Sequence, residues 1–325
     1  LVTLVGISIV IFTLVHMVPG GPVEIAISKF REAAASGKGR LGVQLSSEEI
    51  ENIKAYYGFD KPLHIRYFHW VWNMLHLDFG KSYSFQKPVW EVISSKFPIS
   101  LFFGLISLFV TYLISVPLGV MKALKDRSLF DTASSVIVSA GYVMPGYALG
   151  VLLILFFAGG TYLKWFPMGG AVSEGWEYYP LGWKILDFLH HMVLPLICYV
   201  IGSFAVLTQL MKNSIIEEVS KDYVRTALAK GVPYRTAVIR HALRNSLIPI
   251  VTGIGGIFTV MFTGALLIEK VFDIDGMGRL MYDAMISRDY NVVLAEIMIV
   301  SVLTLIGRLV SDIAYVFVDP RIRLD

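Results

Sequence analysis

Long apolar runs separated by short polar stretches set the pattern of this chain. Six runs lie near or above the roughly 20 apolar residues that cross a hydrocarbon core: 1–18, 98–123, 130–157, 190–211, 247–268 and 292–318. The first is short, and the third and sixth are long enough to tilt or protrude. Pro117, Pro145 and Pro195 fall inside these runs, where neighbouring helices can satisfy the carbonyls that proline frees. The pattern predicts an all-α integral membrane protein with six transmembrane helices: a first helix at 1–18, an outer insert at 19–97, a five-helix core at 98–318 and a tail at 319–325. Leu1 already sits in apolar sequence, so a short preceding piece is expected.

Between the fourth and fifth runs the texture changes. Residues 222–249 read DYVRTALAKGVPYRTAVIRHALRNSLIP, with Arg225, Lys230, Arg235, Arg240 and Arg244 set among apolar positions at helical spacing. Gly231-Val232-Pro233 divides the stretch, glycine suiting the close of one helix and proline the start of the next. This predicts two short helices at a membrane surface, too charged to cross. Two readings are open: a basic loop on anionic lipid, or an element that docks onto another protein.

The outer insert has its own punctuation. Pro19-Gly20-Gly21-Pro22 ends the first helix, Gly37–Gly42 forms a candidate tip, and Ser46 with Glu49 has the spacing of a capped helix start ending by Gly58. Tyr67, Phe68, Trp70, Trp72 and Phe79 follow; they either lie at the interface or pack on the outer face.

Charge orients the chain. Lys122, Lys125 and Arg127, the basic stretch after the fourth run, and Arg321 and Arg323 all fall on one side of a six-span chain, so both termini are expected in the cytoplasm. Composition agrees with a membrane protein: 55% of the 325 residues are hydrophobic, 16% charged, and the mean hydropathy is +0.65. A net charge of +3 concentrated in one loop gives no basis for nucleic-acid binding. Cys198 is the sole cysteine, which excludes an internal disulfide and a cysteine metal site.

The chemistry carried inside the runs is thin. Gln209 and Asn213 at the inner end of the fourth run, and Thr252, Thr259 and Thr263 beside Gly253, Gly255 and Gly256 in the fifth, are candidate pathway residues; the small ones equally suit close helix packing. Arg308 and Asp312 share a helix face and read as a structural pair, while Glu296 is expected to be wet at the outer end. There is no phosphate-binding G-x-x-x-x-G-K-[ST] loop, no H-E-x-x-H and no G-x-S-x-G elbow. Any ATP and magnesium would therefore sit on a partner. A membrane-embedded enzyme using Glu296 or the Arg308/Asp312 pair, or an ion-driven secondary transporter, stands as the alternative reading.

The 222–249 stretch resembles the cytoplasmic coupling motif of bacterial ABC importer permeases, E-A-A followed after three residues by glycine. Arg225-Thr226-Ala227 occupy the E-A-A places and Gly231 the glycine, with arginine for glutamate as in the peptide-importer branch. The flank 240–249, Tyr57–Pro62 and Val318–Arg321 are similar to the B-type permease of the dipeptide/oligopeptide family. Phe156–Gly160, Ser287–Tyr290 and Ser311–Ile313 resemble its Yej-type branch, which imports peptides and antibiotics of the microcin C kind. The resemblance implies a bacterial inner-membrane permease working with a second homologous permease, ABC ATPase domains, a periplasmic peptide-binding protein and a peptide substrate. It places ATPase coupling on Tyr223, Arg225, Thr226, Ala227, Lys230, Gly231, Val232 and Arg240 within a region at 213–246. Asp273, Asp275, Met277 and Tyr282, in the polar stretch after the fifth run, are candidate contacts for the binding protein.

Overall fold

The structure, a computed structural model, describes residues 2–17, 60–160, 162–252 and 264–318, together with 24, 27, 28 and 51; the side chains of 251–252, 311–312 and 314–318 lie outside it. The expected helix start at Ser46, the tip at Gly37–Gly42, Thr259, Thr263, Gly253, Gly255 and Gly256 lie outside the described residues, as does the side chain of Thr252.

The described chain is helical. In order come α1 (Val2–Met17), α2 (Leu63–Leu75), α3 (Val89–Leu124), α4 (Leu129–Val143), α5 (Gly146–Leu153), α6 (Leu181–Val219), α7 (Asp222–Ala229), α8 (Tyr234–Ala237), α9 (Leu243–Ser246), α10 (Ile248–Thr252), α11 (Leu266–Val271), α12 (Met277–Ile286) and α13 (Tyr290–Val318). Wider π turns follow α5 at Ile154–Ala158 and α8 at Val238–Ala242. No strand occurs among the described residues beyond one isolated bridge between Lys81 and Pro88.

Among the described residues, three helices are long and apolar enough to cross a bilayer: α3, α6 and the part of α13 from Tyr290 to Val310. α4 and the segment Gly146–Ala158 are each too short and meet that test only together, and they bend by 97° at their junction. The third run, expected as one span with a tolerated interruption at Pro145, is therefore two sharply angled segments. The cause is local: Pro145 disfavours the helical conformation of the residue before it, and Met144 is extended, with φ −81 and ψ 120. Pro98, Pro117 and Pro195 are absorbed inside α3 and α6 without a break. Large apolar side chains such as Phe109, Leu113, Val136 and Ile137 point outward, as lipid-facing side chains do.

The chain divides into two compact units. In the first, residues 1–96 and 280–302, α2 lies on α1: Tyr67 Oη is 2.8 Å from Ser8 Oγ, and Phe12 meets the Tyr67 and Trp70 rings at 5.4 and 5.3 Å. Phe68 and Trp72, on the other side of α2, stay exposed. The aromatic run thus divides between packing and surface. Glu296, expected to be wet, is buried in this unit.

In the second unit, residues 97–279 and 303–325, two apolar clusters follow α6. One gathers Phe103, Met192, Leu194, Cys198, Ile268, Phe272 and Ile274; the other gathers Ala123, Leu207, Met211, Ile215, Val238 and Ile250. Ser115 Oγ donates to Phe204 O at 3.2 Å, tying α3 to α6 by the kind of polar bond that helices use in lipid.

Candidate functional site: a polar anchor beneath a basic helix

α7 has eight residues, too few to be stable in isolation. Three features hold it. Val224 is fully buried with Ala237 and Ala242, and Val219, Leu228 and Val232 pack around them. At its C-terminus Gly231 takes φ +84, so its N–H reaches Leu228 O at 2.9 Å while the Val232 N–H reaches Ala227 O at 3.2 Å. This paired closure is the Schellman arrangement. Pro233 then starts α8.

The third feature is a polar anchor at the end of α6. Glu218, almost buried, receives one oxygen's hydrogen bond from Lys221 Nζ and the other's from Tyr223 Oη. Asn245 Nδ2 donates to the same phenol at 3.0 Å, so one hydroxyl joins α6, α7 and the segment that follows. The Glu218 contact holds the Lys221 ammonium above its ordinary pKa. Burial, with Glu218 behind it, pushes the Tyr223 phenol up to about 12. Both groups keep their protons at neutral pH, which suits them as donors to a carboxylate.

Beneath this lies a second charged assembly. Lys122 is fully buried; its Nζ donates to Asp131 O at 3.0 Å, Ser134 Oγ at 3.0 Å and Ser135 Oγ at 2.7 Å. Its charge also lies 3.1 Å from Asp131 Oδ1. Lys212 on α6 closes the set, 2.6 Å from Asp131 Oδ2 and 2.9 Å from Asp126 Oδ1. A buried charge is held cheaply only when both paired and hydrogen-bonded, and Lys122 is both. Ser214 Oγ donates to Ser246 O at 3.0 Å, fastening α9 to α6 a turn below the anchor.

What faces outward is mostly basic. Asp222, Arg225 and Thr226 are exposed on α7, Lys230 at its C-cap, and Arg235, Arg240 and Arg244 on the segment after it; Ala227 and Val232 are half-buried. The predicted coupling residues thus sort by role. Tyr223, Gly231 and Val232 hold the helix, while Arg225, Thr226, Lys230 and Arg240 offer a surface. Glu218, Asn245 and the Lys122–Asp131–Lys212 set escaped the sequence reading, which took Lys122 as a topology charge only.

The remaining candidates scatter. Gln209 and Asn213 are exposed one turn apart and bond each other at 3.0 Å. Asp273 is exposed and pairs with Arg279 at 2.7 Å, Asp275 is exposed, and Tyr282 is half-buried. Met277 is buried, its N–H donating to Ser100 Oγ at 2.8 Å, so its side chain belongs to packing rather than to a surface. That turn is organised on Glu269, fully buried, which accepts from Tyr199 Oη at 2.8 Å and from the N–H groups of Ala265 and Arg279 at 3.1 and 2.8 Å. Arg308 is exposed, and the side chain of its expected partner Asp312 lies outside the described residues.

Residues 115–324 match the family model of the binding-protein-dependent transport system inner membrane component. The chain belongs to that family. Over 98% of its length this permease is 41% identical to an inner membrane ABC transporter permease protein, YejB, of Escherichia coli O157:H7, covering 95% of that protein. It is 38% identical to the peptidoglycan transport system permease protein YejB of Agrobacterium fabrum, covering 98% of the permease and 94% of that relative. The dipeptide transport system permease protein DppB of Escherichia coli K12 is 32% identical over 99% of the permease and 95% of its own length. Family and fold agree that the permease is an all-α component of a membrane transport system. In such systems ATP hydrolysis and substrate capture belong to partner subunits.

Proposed function

We propose that this permease is one of two homologous membrane subunits of an ATP-driven ABC importer that carries peptides from the periplasm to the cytoplasm. The observation that carries the reading is α7: a short helix, held by the Glu218–Tyr223–Asn245 anchor, that exposes Asp222, Arg225 and Thr226 and is flanked by exposed Lys221 and Lys230. Such a helix suits a mechanical contact with a separate protein, and with no phosphate loop in the sequence the ATPase of this reading is a separate subunit. ATP and magnesium bind on ABC ATPase subunits, and a periplasmic peptide-binding protein delivers the cargo. In this reading α7 faces the cytoplasm, with both chain termini on that side, in the bacterial inner membrane. Kinship with DppB, named for dipeptide transport, favours short peptides as cargo, and the Yej-type sequence resemblance extends the proposal to peptide antibiotics of the microcin C kind.

The test is co-purification with the neighbouring subunits, reconstitution into proteoliposomes, and measurement of peptide-stimulated ATP hydrolysis and peptide uptake. Ala227→Glu, which puts a carboxylate on the half-buried edge of α7, is expected to abolish coupled uptake while leaving membrane insertion intact. Uptake that follows an ion gradient and ignores ATP depletion would overturn the reading, as would catalytic turnover by the isolated chain.

A further inference from the structure

The first compact unit contains a cavity of about 590 Å³ with no part in the coupling machinery. Its size falls in the range of small-molecule sites, roughly 300–1,000 Å³. One part of its wall is built on a turn. Asp289, fully buried, accepts from Ser82 Oγ at 2.5 Å and from the Ser84 N–H at 2.9 Å. Asn291 Nδ2 donates to Lys81 O at 2.8 Å, and the Lys81–Pro88 bridge closes the turn. These bonds fix where Lys81 and Tyr83 stand. On the opposite wall Trp70 is set by its ring contact with Phe12.

The charge of the lining is one-sided. Lys61, Arg66 and Lys81 face it, against Asp78 as the carboxylate among the described lining residues. Asp78 is already engaged, accepting from the Gly80 N–H at 2.9 Å. Burial pulls the Arg66 guanidinium below its ordinary pKa, with Asp60, Tyr83 and Tyr290 offsetting part of the effect. Lys61 and Lys81 are exposed and form no ion pair with other described residues. Three cations gathered at an aromatic-walled cavity match a ligand with an anionic end and an apolar body.

We propose that this cavity is a subsite for the terminal carboxylate of a peptide, with Lys61, Arg66 and Lys81 supplying positive charge and Trp70 and Tyr83 an apolar wall for the last side chain. The assignment rests on the importer reading, in which the cavity opens on the outer side, where cargo is received. Neither the coupling motif nor the kinship with other permeases assigns it.

The test uses the permease with its partner permease and ATPase subunits in nanodiscs, without binding protein, and saturation-transfer NMR with trialanine and trialanine amide. The wild type is expected to bind the free acid about tenfold more tightly than the amide, the scale of one lost charge-assisted bond. Lys61→Gln/Lys81→Gln is expected to erase that preference, and Lys61→Arg/Lys81→Arg to keep it. Equal binding of acid and amide by the wild type, or an unchanged preference in the glutamine variant, overturns the subsite. Peptide-stimulated ATP hydrolysis by the complete wild-type importer is scored separately. Its presence without an acid–amide difference overturns the subsite alone; its absence overturns the importer reading.

Discussion

Gly231 allows α7 to be perturbed without altering its exposed side chains. A Cβ built at this position meets nothing within 4 Å, so Gly231→Ala adds no clash. What it adds is backbone strain, because φ +84 lies in the left-handed region, where an L-residue with a Cβ pays about 1–2 kcal/mol. Asparagine tolerates that region better than alanine does. The strain acts on the two closing bonds, Gly231 N–H to Leu228 O and Val232 N–H to Ala227 O, which hold the last turn of α7. At about 1.4 kcal/mol per tenfold, Gly231→Ala should raise the open population of that turn by about tenfold. Hydrogen exchange in the assembled importer reads this directly, as a tenfold loss of protection at the amides of 231 and 232. Coupling should follow: less peptide moved per ATP hydrolysed, with ATPase subunits still bound. Gly231→Asn should behave between wild type and alanine. Wild-type protection in Gly231→Ala would refute the argument, because it would mean the left-handed closure carries no strain on the helix end.

Further substitutions test the supports of the site and, separately, the Glu269 turn. Tyr223→Phe removes the hydroxyl shared by Glu218 and Asn245 and should lower stability by about 1 kcal/mol, seen as a drop in unfolding temperature in detergent with uptake reduced rather than lost. Asp131→Asn strips the carboxylate from between Lys122 and Lys212 and should cost about 3–5 kcal/mol, measured by thermal unfolding; Lys122→Met on top of it should recover part of the loss. Gly276→Ala should cost about 1–3 kcal/mol, because its Cβ would sit 2.6 Å from Glu269 Oε2 and 2.9 Å from Ser100 Oγ. Wild-type stability in that variant would show that the Glu269 turn yields freely.

The cores of α3, α6 and α13 were legible because apolar runs of membrane length have few other uses. Their ends were not. α3 begins at Val89 and α6 extends from Leu181 to Val219, well past the apolar runs at 98–123 and 190–211. Hydropathy marks what lies in lipid, whereas helical geometry continues into water. Pro145 was visible as an interruption, yet a proline inside α3 or α6 is absorbed and this one turns the chain by 97°. The difference lies in Met144, which is extended here, whereas the residues before Pro117 and Pro195 stay helical. At the site, Gly231 and Pro233 announced the closure of α7 and the start of α8 by local rules. The anchor at Glu218 and the set around Asp131 depend on pairings such as Tyr223 with Asn245 and Asp131 with Lys212, distant along the chain. No spacing rule connects such residues.

The length of α6 turns the anchor into one end of a lever. Its 39 residues rise about 58 Å at 1.5 Å per residue, nearly twice the thickness of a hydrocarbon core. A tilt of about 5° imposed at Glu218 swings the far end of a rigid rod of that length by about 5 Å, close to the pitch of one helical turn. A small rotation below the membrane is thereby enough to displace side chains at the opposite surface. Pro195, inside the same helix, is the point at which that rod can flex and the stroke be shortened.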